Sequence, residues 1–397
     1  MKLSHPCIVC AAPSFNVVGG IENYMANMVF GFARQGWNVH CLATNSSSDN
    51  RIILEKASNF HDISSLSLSP KKVSISADIV NEIAPDILLI NNCPLIQYAL
   101  PLLNKSIKPV SVLHSDDPRF YRSAAIFRDR VFRWVAPTYG VAKEATFWVG
   151  VENQSRVRII PHGVDPSVYS SYQRERILSG RIAFVGYIAE NKGADLLLQI
   201  MQRVTLGHPT VHLTVVGYGP LRQNLERQFQ EAGLFNNISF AGTISPEEVA
   251  AVLRTSDILL HPTRVEGFGL AIVEAMLCGA VPVVTCFPGI TDQLIDDGRN
   301  GFLVGKDDVA GFAKAVCAVI ENPKRSKEMS EAATVKGTRS FSLSRMITDY
   351  EMIFKEADTR SCFHQRTKAG WGIEVVPELL RDGTPLNLLR KVRYVFS

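Results

Sequence analysis

Short apolar runs, each closed by Gly, Pro or a small polar residue and each followed by a stretch of helical periodicity, recur along this chain. That alternation restricts it to α/β folds. CIVCAAP precedes a glycine loop, a helical pattern through Met25, Met28, Val29 and Phe32 follows, and NVHCLAT comes next. PDILLINN and KPVSVLHS continue as short strands between helical stretches, and RVFRWVAPT reads as the end of one helix running into another. Strands alternating with helices imply a parallel, doubly wound sheet. The pattern pauses at RVRIIPHGVDPSVYSSYQRER, where Pro161, Gly163, Pro166 and a serine-rich stretch follow a strand, and the domain junction is placed there. A second series then runs through RIAFVGYI, a helix from about Ala194, VHLTVVGYG, a helix from Leu221 to Ala232, ISFAG, SPEEVAAVLRTS, DILLHPT, LAIVEAMLCG and AVPVVTC. Ser245 and Glu248 have the spacing of a capping box. No repeat of roughly 20 to 50 residues is visible, which excludes a solenoid.

A chain of 397 residues fits two such cores better than one. The expected division is 1–166, 167–345, and a C-terminal helix and basic tail over 346–397 that returns to the first domain. Two sheets of this kind facing one another leave a cleft between their strand carboxyl ends, where their ligands usually bind. Hydrophobic residues make up 46% and charged residues 20%, and no apolar run reaches the length of a bilayer span. The N-terminal apolar stretch runs straight into the glycine loop without a convincing cleavage site and reads as a first strand. Eight scattered cysteines, with only Cys7 and Cys10 close together, indicate reduced thiols in a cytoplasm and no metal site. The net charge of +4 gives no case for nucleic acid, and residues 360–397 alone hold seven Lys/Arg against three Asp/Glu.

The stretch RVEGFGLAIVEAMLCGAVPVV, from Arg264 to Val284, carries two carboxylates around a strand-to-helix turn. DILLHPT supplies the strand, RVEGFG the loop, and LAIVEAMLCG a helix with Gly279 as its C-cap. Glu266 then lies in the loop and Glu274 a turn or more into the helix. Amides at a helix start bind anionic or oxygen-rich groups, and a carboxylate accepts hydrogen bonds from adjacent hydroxyls. If both faced the cleft, Glu266, Glu274 and the amides of Phe268, Gly269 and Leu270 would suit a sugar diphosphate with a ribose. Gly267 and Gly269 would allow close backbone approach. Taken alone, the same residues also read as a loop carboxylate and a solvated helix charge.

The surroundings change that balance. VVGGIENY, VLHSDD, VRIIPHGVD, FVGYIAENKGADLLL, VVGYGP, ISFAGTIS, EGFGLAIVEAMLCGAVPVV and DDGRNGFLV stand in one order up to about residue 355. This ordered set resembles the family 4 glycosyltransferases, retaining enzymes of the GT-B fold. The resemblance implies two Rossmann-like domains facing a central cleft, and a nucleotide-sugar donor such as a UDP- or GDP-hexose. By it, Glu274 would hold the ribose hydroxyls, and Glu266, with the amides of Phe268, Gly269 and Leu270, the donor sugar. Lys192 would neutralise the leaving diphosphate. Gly19 and Gly20 match the N-domain glycine loop near the phosphates, and His114 the histidine lining the sugar pocket. Glu22 is similar to an acidic residue often found in that loop. The family usually has Arg where this chain has Tyr187, so one cation is missing from its expected place. His162 stands where Asn is commoner and is read as a hinge residue, and Asp116 and Asp117 take no assigned role. Transfer with retention on the front face, without a metal, is what the resemblance implies.

DPRFYRSAAIFRDRVFRWVAP, from Asp117 to Pro137, can be drawn as a helix with Arg122, Arg130 and Arg133 on one side and Tyr121, Phe127, Val131, Phe132 and Trp134 over the other. It reads either as a helix packing on its own sheet or as a contact with an anionic membrane. LNLLRKVRYVF in the tail repeats the pattern, and a dimer contact or a strap over the first domain is the other reading there. The overall expectation is a cytoplasmic hexosyltransferase, peripheral on the inner face of the membrane, that acts on a glycan or lipid-linked acceptor in surface-polysaccharide or glycolipid synthesis. A catalytically idle GT-B scaffold or glycan-binding protein, and a GT-B epimerase or phosphorylase, are the alternatives. Oligomeric state is not legible.

Overall fold

A computed structural model describes residues 6–15, 20–45, 58–114, 117–170 and 180–359. Gly19, Asp116 and the tail from residue 360 lie outside the described residues.

The first sheet has seven strands, β1 (Cys7–Ala12), β2 (Asn38–Ala43), β3 (Asn59–Asp62), β4 (Ile87–Asn91), β5 (Lys108–Val112), β6 (Arg133–Ala136) and β7 (Val157–Ile159), in the order β3-β2-β1-β4-β5-β6-β7. The second has six, β8 (Arg181–Val185), β9 (His212–Val216), β10 (Ile238–Gly242), β11 (Ile258–His261), β12 (Val281–Thr285) and β13 (Phe302–Val304), in the order β10-β9-β8-β11-β12-β13. Every pairing between these strands is parallel. The central strands are buried on both faces, as a sheet covered by helices on each side requires: β4, β5, β11 and β12 carry apolar runs in place of alternation. In each sheet the strand order reverses once, at β1/β4 and at β8/β11, and these are the points where such sheets open a crevice at their carboxyl ends.

Two expectations are corrected. The stretch from Asp117 to Pro137 is not one helix. A helix covers Pro118–Ala125, Ile126 is extended, Phe127 takes φ 51°, and β6 begins at Arg133. Tyr121, Val131 and Trp134 are buried in the first domain, and Arg130 donates to the carbonyls of Leu100 and Leu103 at 3.2 and 2.8 Å. Arg133 is also buried and binds Glu356 at 2.7 Å. The side chains drawn as a membrane face are core and its ties. The same finding turns RWVA, within RVFRWVAPT, from a helix end into the strand next to the sheet's edge, hidden in the sequence because a paired arginine occupies one of its buried positions. No helix among the described residues is long and apolar enough to cross a membrane.

After the second sheet the chain crosses back. The helix Leu343–Thr359 packs on the first helix, Gly20–Arg34: the Tyr24 and Tyr350 hydroxyls bond at 2.7 Å, and Phe32 meets Phe354 with ring centroids 5.6 Å apart. The two crossings between sheets run side by side, with Val164 N donating to Phe341 O and Leu343 N to Val164 O, both at 2.9 Å. Gly163 permits this approach, because a Cβ there would sit 2.7 Å from the Leu343 Cα.

Candidate active site

The β8/β11 switch point gathers the charged residues. After β8, a 3-10 turn over Glu190–Lys192 ends on Gly193 at φ 69°, where a Cβ would run into the Pro262 carbonyl, so only glycine brings Lys192 this close to the β11 loop. After β11, the EGFG loop leads to the helix Leu270–Cys278, whose N-cap Gly269 takes φ 98° and whose C-cap Gly279 takes φ 75°. Arg264 anchors the loop with two bonds to Asp195, at 2.7 and 2.8 Å, and one to Asp307 at 2.6 Å. Hydrogen bonds to Asp195 first, and then to Asp307, hold its guanidinium charged against partial burial. It is therefore already committed to carboxylates of its own domain. Tyr187 itself is 43% exposed and packs edge-on against Tyr218 at 5.1 Å.

Glu266 is the hub. Its Oε2 receives Lys192 Nζ at 2.9 Å and His261 Nε2 at 3.1 Å, and its Oε1 receives its neighbour Gly267 N at 3.2 Å. Burial opposes its ionisation, but the Lys192 charge and the His261 hydrogen bond outweigh burial and hold the carboxyl well below the usual carboxylate range. Glu274 lies deeper, 6% exposed, and burial pushes its carboxyl up to about 7 while a hydrogen bond from the Tyr169 phenol pulls the other way. The two carboxylates thus differ in kind: one is permanently charged and the other is poised near neutrality.

From the first domain, Gly20 opens the helix Gly20–Arg34, and a Cβ there would lie 3.7 Å from Leu270 Cδ1. The N-termini of two helices, one from each domain, therefore face one another, and both present first-turn amides without intrahelical partners. Thr138 Oγ1 donates to Gly267 O at 3.1 Å, and Gly140 N to Gly289 O at 2.7 Å, closing the cleft beside them. Glu22 sits in the first turn of its helix, where burial raises its carboxyl and a bond with Ser14 partly offsets that.

His114 is buried in a chain of hydrogen bonds. Asn91 Nδ2 donates to Ala11 O at 3.3 Å, which turns Asn91 Oδ1 toward His114 Nε2 at 3.1 Å, while His114 Nδ1 faces His162 Nε2 at 3.2 Å. Burial lowers His114 to about 3 and holds His162 well below the ordinary histidine range, so both rings are neutral. The proton must then lie on Nε2 of each ring, which leaves His162 Nδ1 a buried acceptor without a partner. Both nitrogens of His114 are engaged, whereas His162, read as a hinge residue, packs on Tyr24 at 4.3 Å and on Phe268 at 5.1 Å with one nitrogen free. The sequence reading missed His162, His261 and Tyr169. The histidines lie at or just beyond a strand's carboxyl end, which was the available signal. Asp117, left without a role, caps its helix by accepting from Arg119 N at 2.9 Å. Among the described residues, one cluster has metal-ligand chemistry: His208, Cys317 and Glu321, with ligand atoms within 4.8 Å of one another. It lies at the amino edge of the second sheet, away from the cleft.

With this geometry in view, comparison with known proteins is informative. A profile described as Glycosyltransferase Family 4 matches residues 18–168, and one described as Glycosyl transferases group 1 matches residues 179–336. The chain belongs to the family 4 glycosyltransferases. It is 24% identical to an uncharacterised glycosyltransferase of Haemophilus influenzae over 84% of this chain and 96% of that protein. A Mycolicibacterium smegmatis enzyme, a GDP-mannose-dependent alpha-(1-6)-phosphatidylinositol monomannoside mannosyltransferase, is 29% identical over 44% of this chain and 49% of its own length. The structure of Anabaena HepE in complex with UDP and glucose superposes with a TM-score of 0.73 at 18% identity, over 89% of this chain and all of that one. The architecture of this glycosyltransferase is GT-B, and the Lys192–Glu266 pair joins two loops of the second domain, those after β8 and β11.

Proposed function

We propose that this glycosyltransferase transfers a hexose from a UDP- or GDP-hexose to a glycan or lipid-linked acceptor, with retention and without a metal. The observation that carries the reading is the Lys192–Glu266 pair at the β8/β11 switch point, beside the opposed helix N-termini at Gly20 and Leu270. A donor diphosphate arriving there takes the Lys192 ammonium, and Glu266, released from it, accepts sugar hydroxyls while His261 keeps the carboxylate oriented. The amides of Phe268, Gly269 and Leu270, and that of Gly20 at the start of the first-domain helix, add donors to the same anion. Glu274 takes the ribose. His114 acts through the Asn91–His114–His162 chain, which sets the wall of the sugar pocket. Catalysis is then positioning plus stabilisation of the leaving diphosphate.

Known proteins support the donor class: HepE has been seen with UDP and glucose, and the M. smegmatis relative uses GDP-mannose. The seven described cysteines are free thiols, which suits a reducing, cytoplasmic setting. The test is a thermal-shift screen of UDP, GDP and ADP and their hexoses on the wild type and Glu274→Ala. A nucleotide at 100 times its Kd adds about 2.7 kcal/mol of stability, and the substitution should remove it. Product anomeric configuration, read by NMR with and without EDTA, then tests retention and metal independence. Tyr187 favours a second reading, an idle scaffold, because it leaves the diphosphate one cation short. Nucleotide binding without turnover on any acceptor would select that reading.

A further inference from the structure

Two helices of the second domain bring ligating side chains together away from the cleft. The helix Leu197–Gly207 ends on His208, whose amide donates to Val204 O at 3.0 Å and whose carbonyl accepts from Val211 N at 3.2 Å. His208 is thereby fixed between that helix and the approach to β9. The helix Val309–Glu321 packs alongside, with Cys317 and Glu321 one turn apart on it, so their side chains share a face. His208 Nε2 and Glu321 Oε1 lie 3.1 Å apart, and the ligand atoms of His208, Cys317 and Glu321 all fall within 4.8 Å of one another. Cys317 packs partly buried against the domain core, whereas Glu321 is exposed, which leaves one side of the cluster open to water.

We propose that these three side chains bind a zinc ion that clamps the two helices together: an imidazole nitrogen of His208, the sulfur of Cys317 and a carboxylate oxygen of Glu321, with water in the fourth position. Zinc bonds of about 2.0 to 2.3 Å set tetrahedral ligands roughly 3.3 to 3.7 Å apart. The His208–Glu321 pair already stands near that spacing, and a side-chain adjustment of roughly an ångström at most brings in the sulfur. The donor set suits the ion: thiolate with imidazole selects zinc over magnesium or calcium. Thiolate and carboxylate together balance its two charges, and both helices point their carboxyl ends, the favourable end for a cation, at the site. On binding, the Cys317 S–H bond breaks, its proton passes to water, and the Zn–S bond forms with no change of oxidation state, while His208 binds as neutral imidazole. Cysteine spacing in the sequence gives no sign of this site, because His208 arrives from another helix. The cluster is apart from the Lys192–Glu266 pair, so the ion takes no part in the proposed transfer, and the inference stands independently of the donor reading.

Titration of the tag-free full chain with Co²⁺ and then Zn²⁺, after dialysis against EDTA, tests this. Cobalt should give a thiolate charge-transfer band and the intense visible bands of a tetrahedral site. Zinc should displace it at one ion per chain and raise the melting temperature by a few degrees. Cys317→Ser should abolish the charge-transfer band. Glu321→Gln, at an exposed position that leaves the core untouched, should weaken zinc by about tenfold or more. Cys362→Ser, which lies outside the described residues, should change neither readout. A wild type without the cobalt bands would overturn the inference. So would a charge-transfer band that survives Cys317→Ser or vanishes with Cys362→Ser, or a zinc affinity that Glu321→Gln leaves unchanged.

Discussion

At the residue scale, the two glutamates respond to pH in opposite ways. The folded-state carboxyl of Glu274 is raised to about 7, so its folded form binds a proton more tightly than the unfolded chain does. The stability this contributes is fully present below the ordinary carboxylate range and is lost as pH rises through about 7. Glu274→Gln, which mimics the protonated form, should therefore stabilise the protein at pH 8 by on the order of 2 to 4 kcal/mol and by much less at pH 5, as measured by chemical denaturation. Its nucleotide affinity should fall at the same time, the exchange of function for stability expected at a binding site. Glu266 has a depressed carboxyl, so its contribution is present at neutral pH and lost only in strong acid. Removing its partner by Lys192→Met leaves a buried carboxylate short of a donor and should cost about 1 to 3 kcal/mol. Turnover should drop by roughly 10²-fold or more. Adding Glu266→Gln to that variant should restore much of the stability and none of the turnover, a coupling that a double-mutant cycle reads directly. The positions of both glutamates were legible in the sequence. Their protonation was not, because it depends on the burial of Glu274 and on the Lys192 and His261 contacts of Glu266, which only the tertiary fold sets.

At the element scale, the helices repeat what local chemistry dictates. The Ser245–Glu248 capping box forms with both of its bonds, and Gly279 ends its helix in the left-handed region, as their sequence positions imply. The failures were β6, taken for a helix end, and β3 and β13, short strands at the edges of their sheets. Periodicity cannot separate a strand buried on both faces from a buried helix segment, and an edge strand this short carries too little pattern to detect. Packing between elements adds constraints of its own. Gly31 lets the first helix lie against the returning helix Leu343–Thr359, since a Cβ there would stand 2.5 Å from Ile347 Cδ1. Gly31→Ala should destabilise by about 1 to 3 kcal/mol in a denaturant titration. Ile347→Val in the same chain should recover part of that loss, which distinguishes a steric clash from a change in helix propensity.

At the scale of the whole molecule, two sheets become one site because the chain crosses between them twice and closes on itself. Contact across the cleft is intimate at Gly140, where a Cβ would meet Ile290 Cγ1 at 2.8 Å and Gly289 O at 3.2 Å. Gly140→Val should wedge the domains apart without entering either core. The expected outcome is an increased radius of gyration in solution scattering and a fall in kcat/KM of roughly tenfold or more, with the melting temperature changed by only a few degrees. The sequence by itself determined the doubly wound sheets, the strand–loop–helix placement of Glu266 and Glu274, and the family. All of these follow from hydrophobic period, glycine and proline positions, and motif order, which are local along the chain. Only the tertiary structure decided that the segment drawn as a membrane face is core, that Arg264 is committed to Asp195 and Asp307, that His162 and His261 each keep a buried ring nitrogen without a partner, and that Glu274 is buried. Burial and partner choice arise between residues far apart in the chain, and no local pattern encodes them.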